Sequence, residues 1–107
     1  MFSRPNRLRR GADIITVLRK GRRQNAPAVT CSFIAKPATL GRIAVIVDTK
    51  VSKRAVVRNL IKRRVRSIVR ELGLPQGDLV IRVWKGGDAL SFDQLHQQVR
   101  QCLGKLA

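Results

Sequence analysis

The chain has 107 residues, of which 23 are Lys or Arg and 6 are Asp or Glu, so its formal net charge is +17. Its length lies in the single-domain range, and 44% hydrophobic residues is enough for a small core, which argues against wholesale disorder. We therefore expect one domain spanning residues 1–107. A charge this far from zero makes any polyanion a strong electrostatic partner, and nucleic acid is the first candidate.

The positive charge is concentrated in two segments. Residues 1–23 hold eight cations and one anion, a net of +7, and residues 50–70 hold nine cations and no anion. The remaining residues contribute six cations and five anions, a net of only +1. Such a distribution is expected of binding surfaces rather than of an evenly solvated protein. The basic patch of the first segment includes Arg7, Arg9, Arg10, Arg22 and Arg23.

Several classes of protein are disfavoured by what the sequence lacks. No apolar run approaches the ~18 residues of a membrane span, and the N-terminus has no signal-peptide core, so we expect a cytoplasmic protein without a membrane partner. We interpret Cys31 and Cys102 as buried small hydrophobes rather than as a disulfide or metal ligands, and we assign no role to the lone His96. The six acids form no paired-carboxylate motif, which disfavours a protein-based nuclease.

The first half of the chain predicts one helix and two strands. Helical spacing of apolar residues predicts a helix from about residue 11 to residue 20, with Gly21 as its C-terminal cap. Residues 28–35 alternate as in a half-buried strand, and the continuous apolar run 42–47 is typical of a central strand. We expect these two strands to form a hairpin.

The second half predicts a long basic helix, a strand and a final helix. Ser52 is predicted to be the N-cap of a helix that begins at Lys53. Residues 78–84 are predicted to form a strand, and the last helix follows it. Ser91 and Gln94 have the spacing of a capping box for that last helix. The apolar faces predicted for the two helices consist of Val57, Ile61, Val65, Ile68 and Leu72 in the first, and of Phe92, Leu95, Val99, Cys102 or Leu103, and Leu106 in the second.

The order α-β-β-α-β-α predicts an α+β fold, a single-domain two-layer sandwich in which a small mixed sheet is packed with helices. The strand, basic helix and strand after the hairpin form a βαβ-type unit. Within the basic helix, Arg54/Arg58, Arg58/Lys62 and Lys62/Arg66 are all like-charged pairs at i,i+4, which destabilise a solvated helix mildly. A bound polyanion would neutralise these cations and remove the repulsion between them.

The polyanion is predicted to be structured RNA rather than DNA. No zinc-finger spacing is present, and the basic helix lies between two strands rather than in a helix-turn-helix. Aromatic residues are scarce, so no stacking platform of the RRM type is evident. Arg can bond phosphate with two parallel hydrogen bonds, and Asn59 within the cationic stripe can bond a base edge or a ribose hydroxyl.

The basic helix also carries a family signature. The run Ala55-Val-Val-Arg-Asn-Leu-Ile-Lys-Arg-Arg-Val-Arg66 resembles that of the protein subunit of bacterial ribonuclease P. Arg7-Leu8, Asp13, Val17 and Gly21 fall at the family's spacing ahead of the first strand, and the length and element order agree. The resemblance implies a left-handed βαβ crossover and allows one extra short strand.

The resemblance also implies a function. Members bind a catalytic RNA, and the complex removes the 5′ leader from precursor tRNA by hydrolysis, with Mg²⁺ bound mainly by the RNA subunit and the substrate. The protein supplies no catalytic residue; it raises substrate affinity and lowers the Mg²⁺ requirement. The implied partners are ribonuclease P RNA and precursor tRNA. A structural ribosomal RNA-binding protein is the alternative from another class, since it would show the same size and charge.

Residue roles follow from the resemblance by position. The residues implied to contact the RNA subunit are Arg54, Arg58, Asn59, Lys62, Arg63, Arg66 and Arg70. Those implied to line the leader cleft are Ile14, Leu18, Phe33, Thr49 and Lys50. Leu60 stands where the family commonly has Arg, and Ile14 and Leu18 stand where it often has Phe. The cleft is therefore expected to hold the leader by backbone contacts and apolar packing.

Overall fold

Four β-strands and three α-helices make up the part of the chain that this computed structural model describes, namely residues 7–9, 11–37 and 40–106. The α+β class and the element order are confirmed, with β1 as the one extra short strand. A 3-10 turn lies between β4 and α3. The elements are α1 Gly11–Lys20, β1 Arg22–Asn25, β2 Val29–Ala35, β3 Arg42–Val47, α2 Ala55–Leu72, β4 Gly77–Val83 and α3 Phe92–Leu106.

The strands form one mixed sheet in the order β1-β2-β4-β3. β4 pairs antiparallel with β2 and parallel with β3, so the predicted βαβ unit of β3, α2 and β4 is confirmed. The predicted hairpin is wrong, because β2 and β3 both pair with β4 and not with each other. β4 is buried along almost its whole length, and the central place in the sheet gives its backbone a partner on both sides.

β3 lies at an edge of the sheet, so its prediction as a central strand is wrong. Its continuous apolar run is explained by cover on both faces, since Ile43, Val45 and Val47 pack toward one core and Ala44 toward another. The outer edge is also partly paired. The Leu8 amide donates to the Ile43 carbonyl at 2.8 Å, next to an isolated parallel bridge from Arg7. This contact leaves less of the edge open to another strand.

Two apolar clusters hold the helices on the sheet. α2 and α3 cover one face, where Cys31 and Cys102 lie buried as predicted; a hydrogen bond with Cys102, together with burial, raises the pKa of Cys31. α1 packs on the opposite face, where Val17 and Leu8 contact Ala44 and Val80. β2 is consequently buried on both faces from Val29 to Phe33, not half-buried as predicted.

The helix ends differ from the prediction in detail. α2 begins at Ala55, because the Ser52 hydroxyl accepts from the Arg54 amide at 3.2 Å in a local turn and caps no helix. At the other end Val69 is buried and Leu72 is exposed. Reciprocal hydrogen bonds between Ser91 and Gln94, of 2.9 and 3.1 Å, confirm the capping box of α3.

The buried face of α3 starts one turn later than predicted. Phe92 is exposed and has only a tilted ring contact with His96, at a centroid separation of 6.3 Å. Leu95, Val99 and Cys102 are buried, as predicted. Among the described residues no helix combines the length and the apolar composition of a membrane span.

An ion cluster centred on Asp78 joins the strands at one end of the sheet. The Asp78 carboxylate, 2% exposed, accepts from Lys36 Nζ at 2.7 Å and from Arg42 Nε and Nη2 at 2.8 and 2.9 Å. Asp13 of α1 lies 3.8 Å from Arg42. Burial alone would raise the pKa of Asp78, but the hydrogen bonds from Arg42 and Lys36 outweigh it and hold that pKa below its usual value. The cluster therefore places the start of α1 over this end of the sheet.

Candidate nucleic-acid interface

The cationic side of α2 forms a concave surface. Its polar residues lie opposite the buried Ile61, Val65 and Ile68, as a helical repeat of 3.6 residues requires. Together with Arg7 they line a groove of about 480 Å³. We call it the α2 groove, and its lining residues are Arg7, Asn59, Lys62, Arg63, Arg66, Ser67 and Arg70.

Arg7 brings the two basic segments of the sequence together. The backbone contacts of Arg7 and Leu8 with Ile43 hold the N-terminal segment beside the sheet, and Arg7 joins the lining of the α2 groove. Burial lowers the pKa of Arg66, and the nearby charge of Arg7 lowers it further. The sequence placed these residues in separate patches, because their proximity depends on a strand-edge contact that no local pattern signals.

The α2 groove is chemically suited to anions. No Lys or Arg of α2 is ion-paired with an acidic group within the described parts of the chain, and the first turn of the helix carries no acidic residue. Burial and the neighbouring charge of Arg7 disfavour the charged form of Arg66, an effect that a bound anion would oppose. Arg side chains present donors in a geometry that matches phosphate.

Two residues predicted to contact the RNA lie apart from the α2 groove. Arg54 precedes α2 and is exposed. Arg58 is half-buried, and its Nη1 donates to the Ser52 carbonyl at 2.8 Å. Arg58 therefore orders the turn before α2.

A second surface with polar side chains lies beside α1 on the sheet face. α1 packs at the level where Ser32, Val80 and Ala44 lie side by side on neighbouring strands. Further along the strands, Asn25, Thr30 and Arg82 lie level with one another, and Trp84 and Asp48 follow just after the ends of β4 and β3. We call these five polar or amphipathic residues the polar row.

Hydrogen bonds and stacking connect the polar row. The Trp84 indole Nε1 donates to Thr30 Oγ1 at 2.7 Å, and Thr30 Oγ1 donates to Asn25 Oδ1 at 2.9 Å. The Arg82 guanidinium lies 4.1 Å from the centroid of the Trp84 ring and 3.4 Å from Asp48 Oδ2. The row thus presents amide, cationic and aromatic groups beside α1.

Four of the five residues predicted to line the cleft lie on this side of the molecule. Ile14 and Leu18 are half-buried on α1, packed against the cluster under that helix. Thr49 and Lys50 are exposed in the turn after β3, where the Lys50 amide donates to Asp48 Oδ1 at 2.9 Å. The placement of Phe33 is wrong: its side chain packs in the core under α2 and α3, because alternation along β2 directs it away from α1.

The rest of the predicted N-terminal basic patch is dispersed. Arg9 is exposed, and Arg10 lies outside the described residues. Arg22 and Arg23 are consecutive residues of β1 and point to opposite faces of the sheet. The Arg22 Nη1 donates to the Leu106 carbonyl at 3.3 Å, whereas Arg23 shares a face with Asn25. Among the described members of the patch, Arg7 reaches the α2 groove.

The described residues hold no cluster of three metal-binding side chains. Within residues 7–9, 11–37 and 40–106, no three His, Cys, Asp or Glu side chains come together. Asp13, Asp48 and Asp78 are each within ion-pair distance of an Arg. Magnesium prefers oxygen ligands with a near-octahedral arrangement, and these carboxylates are already committed to cations.

Comparison with known proteins places the chain in a family. The sequence matches the Ribonuclease P family over residues 2–107. The ribonuclease P protein component of a Picosynechococcus species is 34% identical, over 92% of this chain and 87% of the relative. That of a Cyanothece species is 35% identical, over 98% and 95%. That of Thermus aquaticus is 38% identical over 82% of this chain, which spans about half of that longer relative (52%).

Solved structures share the fold. The RNase P protein of Staphylococcus aureus superposes with a TM-score of 0.84 at 18% identity, covering 94% of each chain. The RNase P protein of Thermotoga maritima, solved in complex with 1-(4-fluorophenyl)-2-thiourea, gives a TM-score of 0.78 at 24% identity, over 94% of this chain and 96% of that one. At these identities the similarity is evidence for the fold alone.

Proposed function

Because the chain belongs to the ribonuclease P protein family, we propose that its α2 groove binds the ribonuclease P RNA and that the cleft beside α1 holds the 5′ leader of precursor tRNA. The protein is a component of a ribonucleoprotein endoribonuclease. The observation that carries the proposal is the α2 groove itself, which gathers five cationic side chains and no acidic one. We place its action in the cytoplasm.

The α2 groove binds RNA through its phosphates. Arg63 and Arg70 are exposed and able to reach the backbone, and each phosphate they neutralise releases condensed counterions. A phosphate between Arg7 and Arg66 relieves the repulsion of two crowded guanidinium groups. The exposed amide of Asn59 is suited to a base edge or a ribose hydroxyl, which gives contacts beyond charge.

The cleft beside α1 binds a single strand. Ile14 and Leu18 give it an apolar wall, and the polar row gives it hydrogen-bonding groups. The turn with Thr49 and Lys50 connects β3 to α2 in the chain, so consecutive elements carry the two proposed RNA sites. One protein thereby contacts both the catalytic RNA and its substrate.

The protein contributes to cleavage through charge and position. Two negatively charged RNAs repel each other, and a basic protein between them lowers that repulsion, which Mg²⁺ would otherwise have to screen. In this proposal the metal ions are bound mainly by the RNA subunit and the substrate, as the family membership implies. The expected result is higher substrate affinity and a lower Mg²⁺ requirement.

Reconstitution at low Mg²⁺ tests the proposal. The purified protein, added to its cognate ribonuclease P RNA, should restore precursor tRNA cleavage at a Mg²⁺ concentration where the RNA alone is inactive. Lys62→Glu combined with Arg63→Glu should abolish this rescue, because both residues line the α2 groove. Arg100→Glu combined with Lys105→Glu, an equal charge change on exposed residues of α3, is the control and should preserve it. The family match argues against the ribosomal alternative, so absence of rescue by the unmodified protein would overturn the proposed effect on the Mg²⁺ requirement.

Binding measurements test the cleft separately. The holoenzyme should bind precursor tRNA more tightly than the RNA subunit does, and this gain should be much smaller for mature tRNA, which lacks the leader. An equal gain for both RNAs would reject the cleft as a leader site and leave the assignment of the α2 groove intact.

A further inference from the structure

Trp84 is an exposed aromatic residue held in a fixed orientation. It is the single tryptophan of the chain and follows β4, where its backbone amide donates to the Ala28 carbonyl at 2.8 Å. Its side chain is 41% exposed and belongs to neither apolar cluster. The sequence indicated no aromatic platform, because one tryptophan among polar neighbours has no distinctive pattern.

Contacts from two directions fix the indole ring. Its Nε1 donates to Thr30 Oγ1, which is in turn bonded to Asn25. The Arg82 guanidinium lies over the ring at 4.1 Å from its centroid, within the range of a cation–π interaction. The ring is therefore ordered before any ligand arrives, so stacking on it loses little side-chain entropy.

The surroundings of Trp84 match a single strand of RNA. The ring stands at the end of the sheet face that α1 leaves open, beyond the level where α1 packs on Val80. Arg82 lies beside the ring, and Lys85 follows it on the surface. An unpaired nucleotide offers a π-face to the indole and a phosphate to the cations.

We propose that Trp84 stacks on an unpaired base of the leader strand, a role that rests on the proposed function of the cleft. The base, the indole ring and the Arg82 guanidinium then lie in a layered arrangement, with the Thr30 hydrogen bond fixing its orientation. Every base has a π-face, so all four are accepted, and stronger stacking makes a purine the preferred base at this position. Trp84 thus gives the cleft a modest sequence preference.

Tryptophan fluorescence tests this contact directly. Because the chain has one tryptophan, emission from the holoenzyme reports on Trp84 alone. Precursor tRNA with a leader should quench this emission, and mature tRNA should leave it unchanged. Unchanged emission on saturation with precursor would overturn the proposal, as would equal quenching by mature tRNA.

Substitutions and leader variants provide the second measurement. Trp84→Ala should weaken binding of precursor tRNA by about tenfold, as expected for the loss of one stacked base, and leave binding of mature tRNA unchanged. Trp84→Phe should retain most of the affinity, and Phe92→Ala, which removes an exposed aromatic on α3, is the matched control. Precursors with one abasic leader position each should identify a single position at which wild-type protein loses affinity and Trp84→Ala does not.

The outcomes separate the two proposals. If the unmodified protein gives no selective gain for precursor tRNA, the proposed function of the cleft fails. If that gain is present and Trp84→Ala keeps all of it, only the stacking contact is rejected. Circular dichroism of Trp84→Ala checks its fold, and Trp84→Phe together with the fluorescence measurement decides the question where the alanine variant is unfolded.

Discussion

Leu60 interrupts the cationic surface of α2 at an exposed position. Its side chain is 39% exposed, next in sequence to Asn59 of the α2 groove, and it lies one turn after Val56, which is 73% exposed. An apolar side chain there contributes nothing to phosphate binding. The position is open enough to accept a longer, charged side chain.

Leu60→Arg should tighten binding to the ribonuclease P RNA and steepen its salt dependence by about one unit of slope, the change expected for one added phosphate contact. Filter binding at several salt concentrations measures both quantities. Gln97→Arg is the control, because it adds the same charge at an exposed position of α3, away from α2. An equal gain from Gln97→Arg would show that total charge, and not position, determines the affinity.

At the scale of elements, two arginines of α2 that the sequence analysis assigned the same role have different surroundings in the structure. Arg63 lines the α2 groove and is exposed, whereas Arg58 bonds the Ser52 carbonyl and orders the turn before the helix. The helical periodicity indicated that both lie on the cationic side. It did not show that one of them bonds the preceding turn.

Arg63→Ala should reduce the salt slope of RNA binding by about one and leave the free energy of unfolding within about 0.5 kcal/mol of wild type. Arg58→Ala should lower the free energy of unfolding by about 1 kcal/mol, because it removes a hydrogen bond to a charged donor at a half-buried site. Urea unfolding and salt titrations of both variants compare them. Equal stability of the two variants would refute a structural role for Arg58.

The Asp78 cluster joins β2, β3 and β4 through one buried carboxylate. Asp78→Asn should lower the free energy of unfolding by about 2 kcal/mol. This is less than the usual cost of leaving a buried charge unpaired, because the side chains of Lys36 and Arg42 are partly exposed to solvent. The pKa of Asp78 is lower in the folded protein than in the unfolded chain. Its stabilisation is therefore complete above the unfolded value of about 4 and is lost as the pH falls toward the folded one.

Urea unfolding between pH 7 and pH 3 measures this dependence. Wild type should lose stability faster than Asp78→Asn as the pH falls, since the asparagine has no proton to gain. Parallel curves for the two proteins would mean that Asp78 does not contribute to the acid sensitivity.

At the scale of the whole molecule, the net charge of +17 acts in opposite directions on folding and on binding. Raising the NaCl concentration from about 0.05 to 0.5 M shortens the Debye length and screens repulsion among the cations. The Tm of the free protein should therefore rise, while its affinity for RNA falls by counterion release. Thermal unfolding and RNA-binding measurements in the same buffers check the rise in Tm and the fall in affinity. A Tm that falls as the salt concentration rises would contradict the predicted screening of repulsion.

Local patterns predicted the elements well, and long-range contacts explain what they missed. The periodicity of α2 and the Ser91–Gln94 capping box were visible because they involve residues a few positions apart. The pairing of β2 with β4 joins segments about fifty residues apart and depends on which strand is buried most completely. Arg7 lies near Arg66 because of its bridge to Ile43 at the edge of β3, and α1 packs on the sheet face opposite to Phe33. Neither placement had a local signal in the sequence.

The position of β4 determines when the protein can fold during its synthesis. β4 is the last strand to be made and stands between β2 and β3, so neither has its long neighbour until residues 77–83 have left the ribosome. The basic helix, at residues 55–72, emerges earlier, from a chain whose sheet is still incomplete. Such non-local strand pairing is slow to form, and its late completion means that the basic helix gains its supporting sheet only after residues 77–83 have been made.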